Sequence, residues 1–174
     1  MREDHLILFL SESSNNLNLM AEGFANRLWG TKLKAISASM VPPELNSKAV
    51  SLMERHEINI TNLELLSLID IELFMFDLVI TLGHFDPDCR PNLPGMPPHI
   101  HWDVSDPDKD LPKNEFFAEL ESACAQIKKK IETLYYSDLL KALVTSRQNF
   151  ELILDNLFNV NLFYRHKLPL LFQY

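Results

Sequence analysis

Two short and almost uninterrupted apolar runs constrain the fold of this chain of 174 residues more than any other feature. The first, HLILFL, covers residues 5–10, and the second, FMFDLVITL, covers residues 74–82. Runs of this length that lack alternating polar residues are typical of strands buried on both faces of a parallel sheet. We therefore expect both segments to be strands of one sheet.

The segments between and after these runs alternate between helix and strand patterns. From Leu17, apolar residues recur at steps of three and four, and Gly30 is placed to end that helix. Further elements are predicted as a strand at 33–37, helices at 46–56 and 64–70, a loop at 83–98, a strand at 99–102, and a helical pattern from Asn114 to Leu157. This order predicts a three-layer α/β sandwich, with a central parallel sheet of about four strands and a long C-terminal helical extension.

The predicted organisation has two parts, an α/β domain over residues 1–133 and a helical extension with an aromatic tail over residues 134–174. No apolar run approaches the roughly 18 residues that a membrane span needs, and the N-terminal segment lacks the pattern of a signal peptide. A net charge of −8 disfavours a nucleic-acid surface. We therefore expect a cytoplasmic protein that binds neither membranes nor nucleic acids.

The polar loop after the first strand is the first candidate site. In open α/β sheets, ligands bind beyond the carboxyl ends of the strands, and the N-terminus of the following helix attracts anions. The candidate ligand-binding residues are Ser11, Glu12, Ser13, Ser14, Asn15, Asn16 and Asn18. An ordinary polar turn that binds nothing is the alternative interpretation of the same loop.

The residues around this loop resemble a known active site. Residues 8–25, LFLSESSNNLNLMAEGFA, resemble the active-site segment of the low-molecular-weight tyrosine phosphatase superfamily, in particular its thioredoxin-coupled arsenate reductase branch. In that family an apolar strand is followed by Cys, five residues, Arg, Ser, a variable residue and Met-Ala-Glu-Gly. MAEGFA at residues 20–25 matches directly. The resemblance extends over about residues 5–133, through AISASMVPPELNSKAVSLM, FDLVITL and LPGMPPHIHWDVSDP.

The same resemblance implies that the active site is degenerate. Counting back from Met20 places Ser11 at the nucleophilic cysteine and Leu17 at the anion-binding arginine. Family chemistry requires a thiolate nucleophile and a bidentate guanidinium, and neither residue supplies these groups. Ser13 replaces the loop glycine, and Glu12 adds a negative charge. Asp106, before Pro107, stands at the position of the general acid; a role in shaping that turn is the alternative.

The cysteines concern the later, disulfide-forming part of the reductase cycle that the resemblance implies. Cys89 and Cys124 are the only two cysteines, and we expect both to be free thiols. The resemblance places Gly83 at the first resolving cysteine and Cys89 near the second, so Cys89 is a redox candidate that lacks a disulfide partner. We expect no cofactor and no metal. A metal site built from two histidines with one aspartate is the alternative, and its candidates are His84, His99, His101, Asp86 and Asp103.

The sequence of the C-terminal extension indicates a role in self-association. A long amphipathic helix that leaves a compact domain is suited to dimerisation, although it can equally fold back on the sheet. FELILDNLFN, from Phe150 to Asn159, resembles the entry into a PAS sensor domain. Together these features predict a catalytically inactive domain with a sensory, regulatory or scaffolding role, acting as a homodimer or as the input domain of a bacterial signal-transduction or transcription regulator. The alternative is a residual arsenate reductase or tyrosine phosphatase-type enzyme.

Overall fold

The computed structural model describes residues 5–12, 16–30, 33–41, 44–86, 89–108 and 110–145. The chain divides into two compact units between Tyr135 and Tyr136. The PAS-like segment and the aromatic tail lie outside the described residues. Within the described part, no helix is both long enough and apolar enough to cross a membrane.

A parallel sheet of five strands forms the centre of the first unit, in the order β3-β2-β1-β4-β5. The predicted parallel α/β fold is therefore confirmed. The strands are β1 (His5–Ser11), β2 (Leu33–Ser39), β3 (Leu66–Ser67), β4 (Leu78–Leu82) and β5 (His99–Trp102). The two apolar runs supply β1 and β4, which pair with each other from Ile7–Leu78 to Ser11–Leu82.

Helices cover the sheet on both faces. They are α1 (Asn16–Trp29), α2 (Ser47–Glu54), α3 (Leu68–Ile71) and α4 (Lys113–Tyr136), and α5 (Asp138–Thr145) follows in the second unit. On one face, the ring of Phe9 packs between the rings of Trp29 and Trp102, at centroid distances of 6.0 and 5.8 Å. On the other face, Leu8 and Leu10 join the buried side chains of Ile71, Phe76, Val79 and Leu93 in one core cluster.

The ends of two helices follow from local chemistry. Gly30 comes directly after α1 with a φ of +73°, a left-handed conformation that glycine adopts without strain. Asn46 caps α2, because its side-chain oxygen accepts a hydrogen bond from the Lys48 backbone N–H at 2.8 Å. Both ends were expected from the sequence.

The sheet has five strands where about four were expected, because β3 adds a two-residue edge that pairs with Ala38 and Ser39. Three predicted boundaries were wrong. The helix expected over residues 64–70 is split into β3 and α3. The strand expected from Phe74 begins only at Leu78, since the Phe74 N–H bonds the Ile71 carbonyl in a turn. The long C-terminal helical pattern is interrupted at Ser137.

Candidate functional site

Ser11 occupies the carboxyl end of β1, at the position that the resemblance gives to the nucleophile. It lies beside Ser39 of β2 and Leu82 of β4 in the sheet register, and only 2% of its surface is exposed. Its carbonyl accepts a hydrogen bond from the Met40 N–H at 3.0 Å. Ser11 therefore lies where three central strands end, which is where ligands bind in this class of fold.

Leu17 fills the space next to this point. Its side chain is fully buried, and its Cδ1 atom lies 3.5 Å from the position that a Cβ atom on Gly83 would occupy. Gly83 follows β4 directly and has a φ of +77°. An aliphatic side chain therefore packs against the β4 loop at the arginine position, and it offers no donor to an anion.

Glu12 ties the loop after β1 to the loop after β4. Its Oε2 atom accepts a hydrogen bond from the Asp86 backbone N–H at 3.0 Å. A carboxylate of the protein itself therefore takes up a backbone donor at this edge of the sheet. Because like charges repel, the carboxylates of Glu12 and Asp86 also disfavour an oxyanion nearby.

Of the remaining loop candidates, the structure describes Asn16 and Asn18. Asn16 begins α1 and is largely buried, and Asn18 is buried. The Asn18 amide donates to the Ala38 carbonyl at 2.6 Å, and its oxygen accepts from the Leu19 N–H at 2.8 Å. The bond to the Ala38 carbonyl holds α1 against β2. Ser13, Ser14 and Asn15 lie outside the described residues, so their predicted role stays a prediction.

Asp106 lines a cleft of about 550 Å³ at the carboxyl ends of β4 and β5. Gly83 forms part of the same wall, so the cleft adjoins the packing contact of Leu17. The described lining residues contain carboxylates, imidazoles and a hydroxyl; they are Gly83, His84, Phe85, His101, Asp103, Ser105, Asp106 and Pro107. Such a cleft can exchange protons, and none of these described residues carries a permanent positive charge to bind an oxyanion.

Two histidines of β5 share one hydroxyl of β4. Thr81 Oγ1 lies 3.0 Å from His101 Nδ1 and 3.1 Å from His99 Nε2. Burial is the main cause that lowers the pKa of both imidazoles, and it lowers that of His99 to about 3. Both rings are therefore neutral at physiological pH. The sequence showed both histidines but not the threonine that joins them.

Cys89 is exposed and Cys124 is buried, and both are free thiols. Burial raises the pKa of the Cys124 thiol to about 11, which makes it unreactive. Across the part of the chain that the structure describes, no group of three or more His, Cys, Asp or Glu side chains is arranged to hold a metal ion. The redox role of Cys89 stays a prediction.

Sequence reasoning missed a buried carboxyl in the middle of α1. The Ser37 hydroxyl donates to Glu22 Oε2 at 2.6 Å, between α1 and β2. Desolvation raises the pKa of Glu22 from 4.5 to about 7, although the Ser37 bonds oppose the shift. The signal was present: Asn18, Glu22 and Asn26 recur every four residues, so they form a polar stripe on one side of the helix.

Comparisons with known proteins agree with this architecture. No family model matches the chain. An arsenate reductase of Bacillus cereus (strain 03BB102) is 33% identical over 112 residues, which is 62% of this chain and 80% of the relative. A solved structure described as an arsenate reductase in oxidized state has a TM-score of 0.60 at 24% identity, and it covers 75% of this chain and 95% of its own.

A low-molecular-weight protein tyrosine phosphatase from T. tengcongensis aligns with a TM-score of 0.50 at 22% identity, over 75% of this chain and the whole of its own. This alignment establishes similarity of fold alone, whereas the sequence identity to the Bacillus relative establishes the family. The chain therefore belongs to the family of its arsenate reductase relatives, and it shares its fold with the low-molecular-weight protein tyrosine phosphatase.

Proposed function

We propose that this chain is a catalytically inactive member of its family, and that its fold serves a sensory, regulatory or scaffolding role. The observation that carries the proposal is the contact between Leu17 and Gly83. A fully buried leucine occupies the arginine position and packs against the β4 loop. The site therefore lacks the guanidinium that would stabilise a transferring oxyanion.

The nucleophile position supports the same proposal. A serine hydroxyl needs a neighbouring base before it attacks phosphorus or arsenic, whereas a cysteine in an anion-binding loop is already a thiolate. Ser11 is almost completely buried.

Glu12 and the cleft add an electrostatic argument. The family acts on oxyanions, yet the described residues at this edge place carboxylates of Glu12, Asp103 and Asp106 there. Two unit charges of like sign at about 5 Å repel by roughly 3 kcal/mol at an effective dielectric constant of about 20. Oxyanion binding is therefore disfavoured together with catalysis.

Hydrolysis of p-nitrophenyl phosphate by the full chain tests the proposal. We expect no hydrolysis above the rate without protein, and no change on Ser11→Ala. The low-molecular-weight protein tyrosine phosphatase from T. tengcongensis serves as the assay control. Hydrolysis that disappears in Ser11→Ala would establish Ser11 as a nucleophile and refute the proposal.

Residual arsenate reduction is the second candidate, because the relatives are named arsenate reductases and Cys89 is exposed. A reductase cycle that ends in an intramolecular disulfide needs a second reactive thiol. Cys124 is a poor candidate, since it is buried in α4 and its pKa is raised to about 11. Reduction would therefore have to use Cys89 with an external thiol.

A further inference from the structure

Five exposed apolar side chains form a patch on the α3 side of the sheet. We call Ile69, Leu73, Phe74, Met75 and Met96 the apolar patch. Ile69 is 78%, Leu73 83% and Met96 66% exposed. Monomeric proteins rarely leave large apolar side chains grouped at the surface, and such groups commonly mark interaction sites.

The apolar patch is continuous although its members come from two segments. Ile69 to Met75 form α3 and the turn that follows, in which the Phe74 N–H bonds the Ile71 carbonyl at 3.0 Å. The Met75 methyl group lies 3.4 Å from the position of a Cβ atom on Gly95. Met96 follows that glycine, so the second segment adjoins the first.

The base of the apolar patch is fixed by the core. Ile71, Phe76 and Leu93 alternate with patch residues in the sequence, and all three belong to the buried cluster with Leu8 and Leu10. The Asp70 carboxylate also accepts bonds from the Ser67 N–H and hydroxyl at 2.7 and 2.6 Å. The patch is therefore held in shape before any partner binds, which lowers the entropic cost of binding.

The surroundings of the apolar patch are acidic. Asp70 and Glu72 are exposed within the segment that forms the patch. From Leu66 to Phe76 the sequence contains these two acidic residues and no lysine or arginine, so this segment has a formal charge of −2. Complementary charge governs which partners approach such a surface.

We propose that the apolar patch binds a basic amphipathic segment of a partner protein. Its apolar side chains would cover Ile69, Leu73 and Met96, while its lysines or arginines would face Asp70 and Glu72. An amphipathic helix binds by laying its apolar face on an apolar surface of its partner, and the acidic residues within the patch segment would select a basic one. The proposal does not depend on whether the chain is an enzyme.

Charge disfavours the other occupants. A symmetric dimer through this patch would place each acidic residue near the same residues of the second copy, because a two-fold interface is self-complementary. Like charges in that position cost stability. An anionic membrane surface would be repelled for the same reason.

Fluorescence anisotropy with the full chain and two labelled peptides tests the proposal. One peptide is an amphipathic helix of leucine and lysine, and the other has glutamate in place of lysine. We expect only the lysine peptide to bind. Ile69→Ser with Leu73→Ser should weaken binding roughly tenfold, and Asp70→Asn with Glu72→Gln about fivefold, with a reduced salt dependence.

The matched control is Glu119→Gln with Glu132→Gln, which removes two exposed charges from α4. It should leave the affinity unchanged, and fluorescence of Trp29 and Trp102 verifies that each variant is folded. Equal weakening by the control pair would show attraction to net charge alone and overturn the proposal. So would binding of both peptides alike, or a dimer in light scattering that Ile69→Ser with Leu73→Ser dissociates.

Discussion

Glu22 shows how one residue can make stability depend on pH. Its carboxyl group is buried between α1 and β2, and desolvation raises its pKa to about 7, with Glu64 adding to the shift and Lys34 opposing it. Since the folded-state pKa lies above the usual 4.5, its favourable contribution is complete below pH 4.5 and is lost as the pH rises through about 7. His99 acts in the opposite direction, because its pKa is lowered.

Comparing Glu22→Gln with the parent chain separates the pH dependence due to Glu22 from that due to His99. Glutamine keeps an acceptor for the Ser37 hydroxyl but never ionises. We expect the variant to gain about 3 kcal/mol in relative unfolding free energy between pH 4.5 and pH 8. Urea titrations followed by tryptophan fluorescence measure this difference. Glu119→Gln, on the exposed face of α4, is the control, and a gain that does not vary with pH would contradict the assignment.

Close packing explains why position 23, in the matched MAEGFA segment, holds a glycine. A Cβ atom there would lie 2.9 Å from Ile58 Cγ2, 3.1 Å from Ile60 Cγ2 and 3.2 Å from Met53 Cε. We expect Gly23→Ala to destabilise the chain by about 1–3 kcal/mol, despite the better helix propensity of alanine. Denaturation midpoints give the value. In an Ile58→Ala background the loss should shrink, and an unchanged loss would rule out the steric explanation.

At the level of elements, side chains of α1 complete the edge of β2. The strand β3 reaches only Ala38 and Ser39. Further along β2, the Ala35 N–H donates to Asn26 Oδ1 at 2.9 Å, and the Asn26 amide donates to the Ala35 carbonyl at 3.0 Å. A helix side chain thus takes the place of a neighbouring strand. This arrangement satisfies backbone groups that would otherwise lose stability on burial.

Replacing Asn26 should therefore lower the free energy of unfolding, whereas replacing an exposed asparagine should not. We expect Asn26→Ala to lower the free energy of unfolding by about 1–2 kcal/mol. Asn62→Ala, at an exposed position, should change it by less than about 0.5 kcal/mol. Hydrogen exchange of the Ala35 amide gives a local measure. An Ala35 amide as protected in Asn26→Ala as in the parent chain would contradict the role given to Asn26.

The sequence predicted those elements whose signals are local. The strand at His99–Trp102 and the Asn46 cap were confirmed because both depend on neighbouring residues. The strand β3 was missed, since two residues carry no periodicity and its existence depends on pairing with β2. The break at Ser137 was also missed, because the apolar spacing continues through it.

At the scale of the whole molecule, the family and the positions of the site came from order and spacing along the chain. Ser11, Leu17 and Asp106 could be placed because MAEGFA and the Asp-Pro turn fix the count. Contacts between distant residues could not be predicted. The bond from Asp86 to Glu12 spans 74 positions, and the packing of Leu17 on Gly83 also depends on the folded sheet.

Thioredoxin-coupled reduction of arsenate by the full chain tests the central claim, catalytic inactivity, most directly. We predict no arsenate-dependent oxidation of the coupling system, in the parent chain and in Cys89→Ser alike. The Bacillus cereus relative, assayed under the same conditions, provides the reference rate. Turnover by the parent chain that is lost in Cys89→Ser would contradict the account and establish a residual reductase.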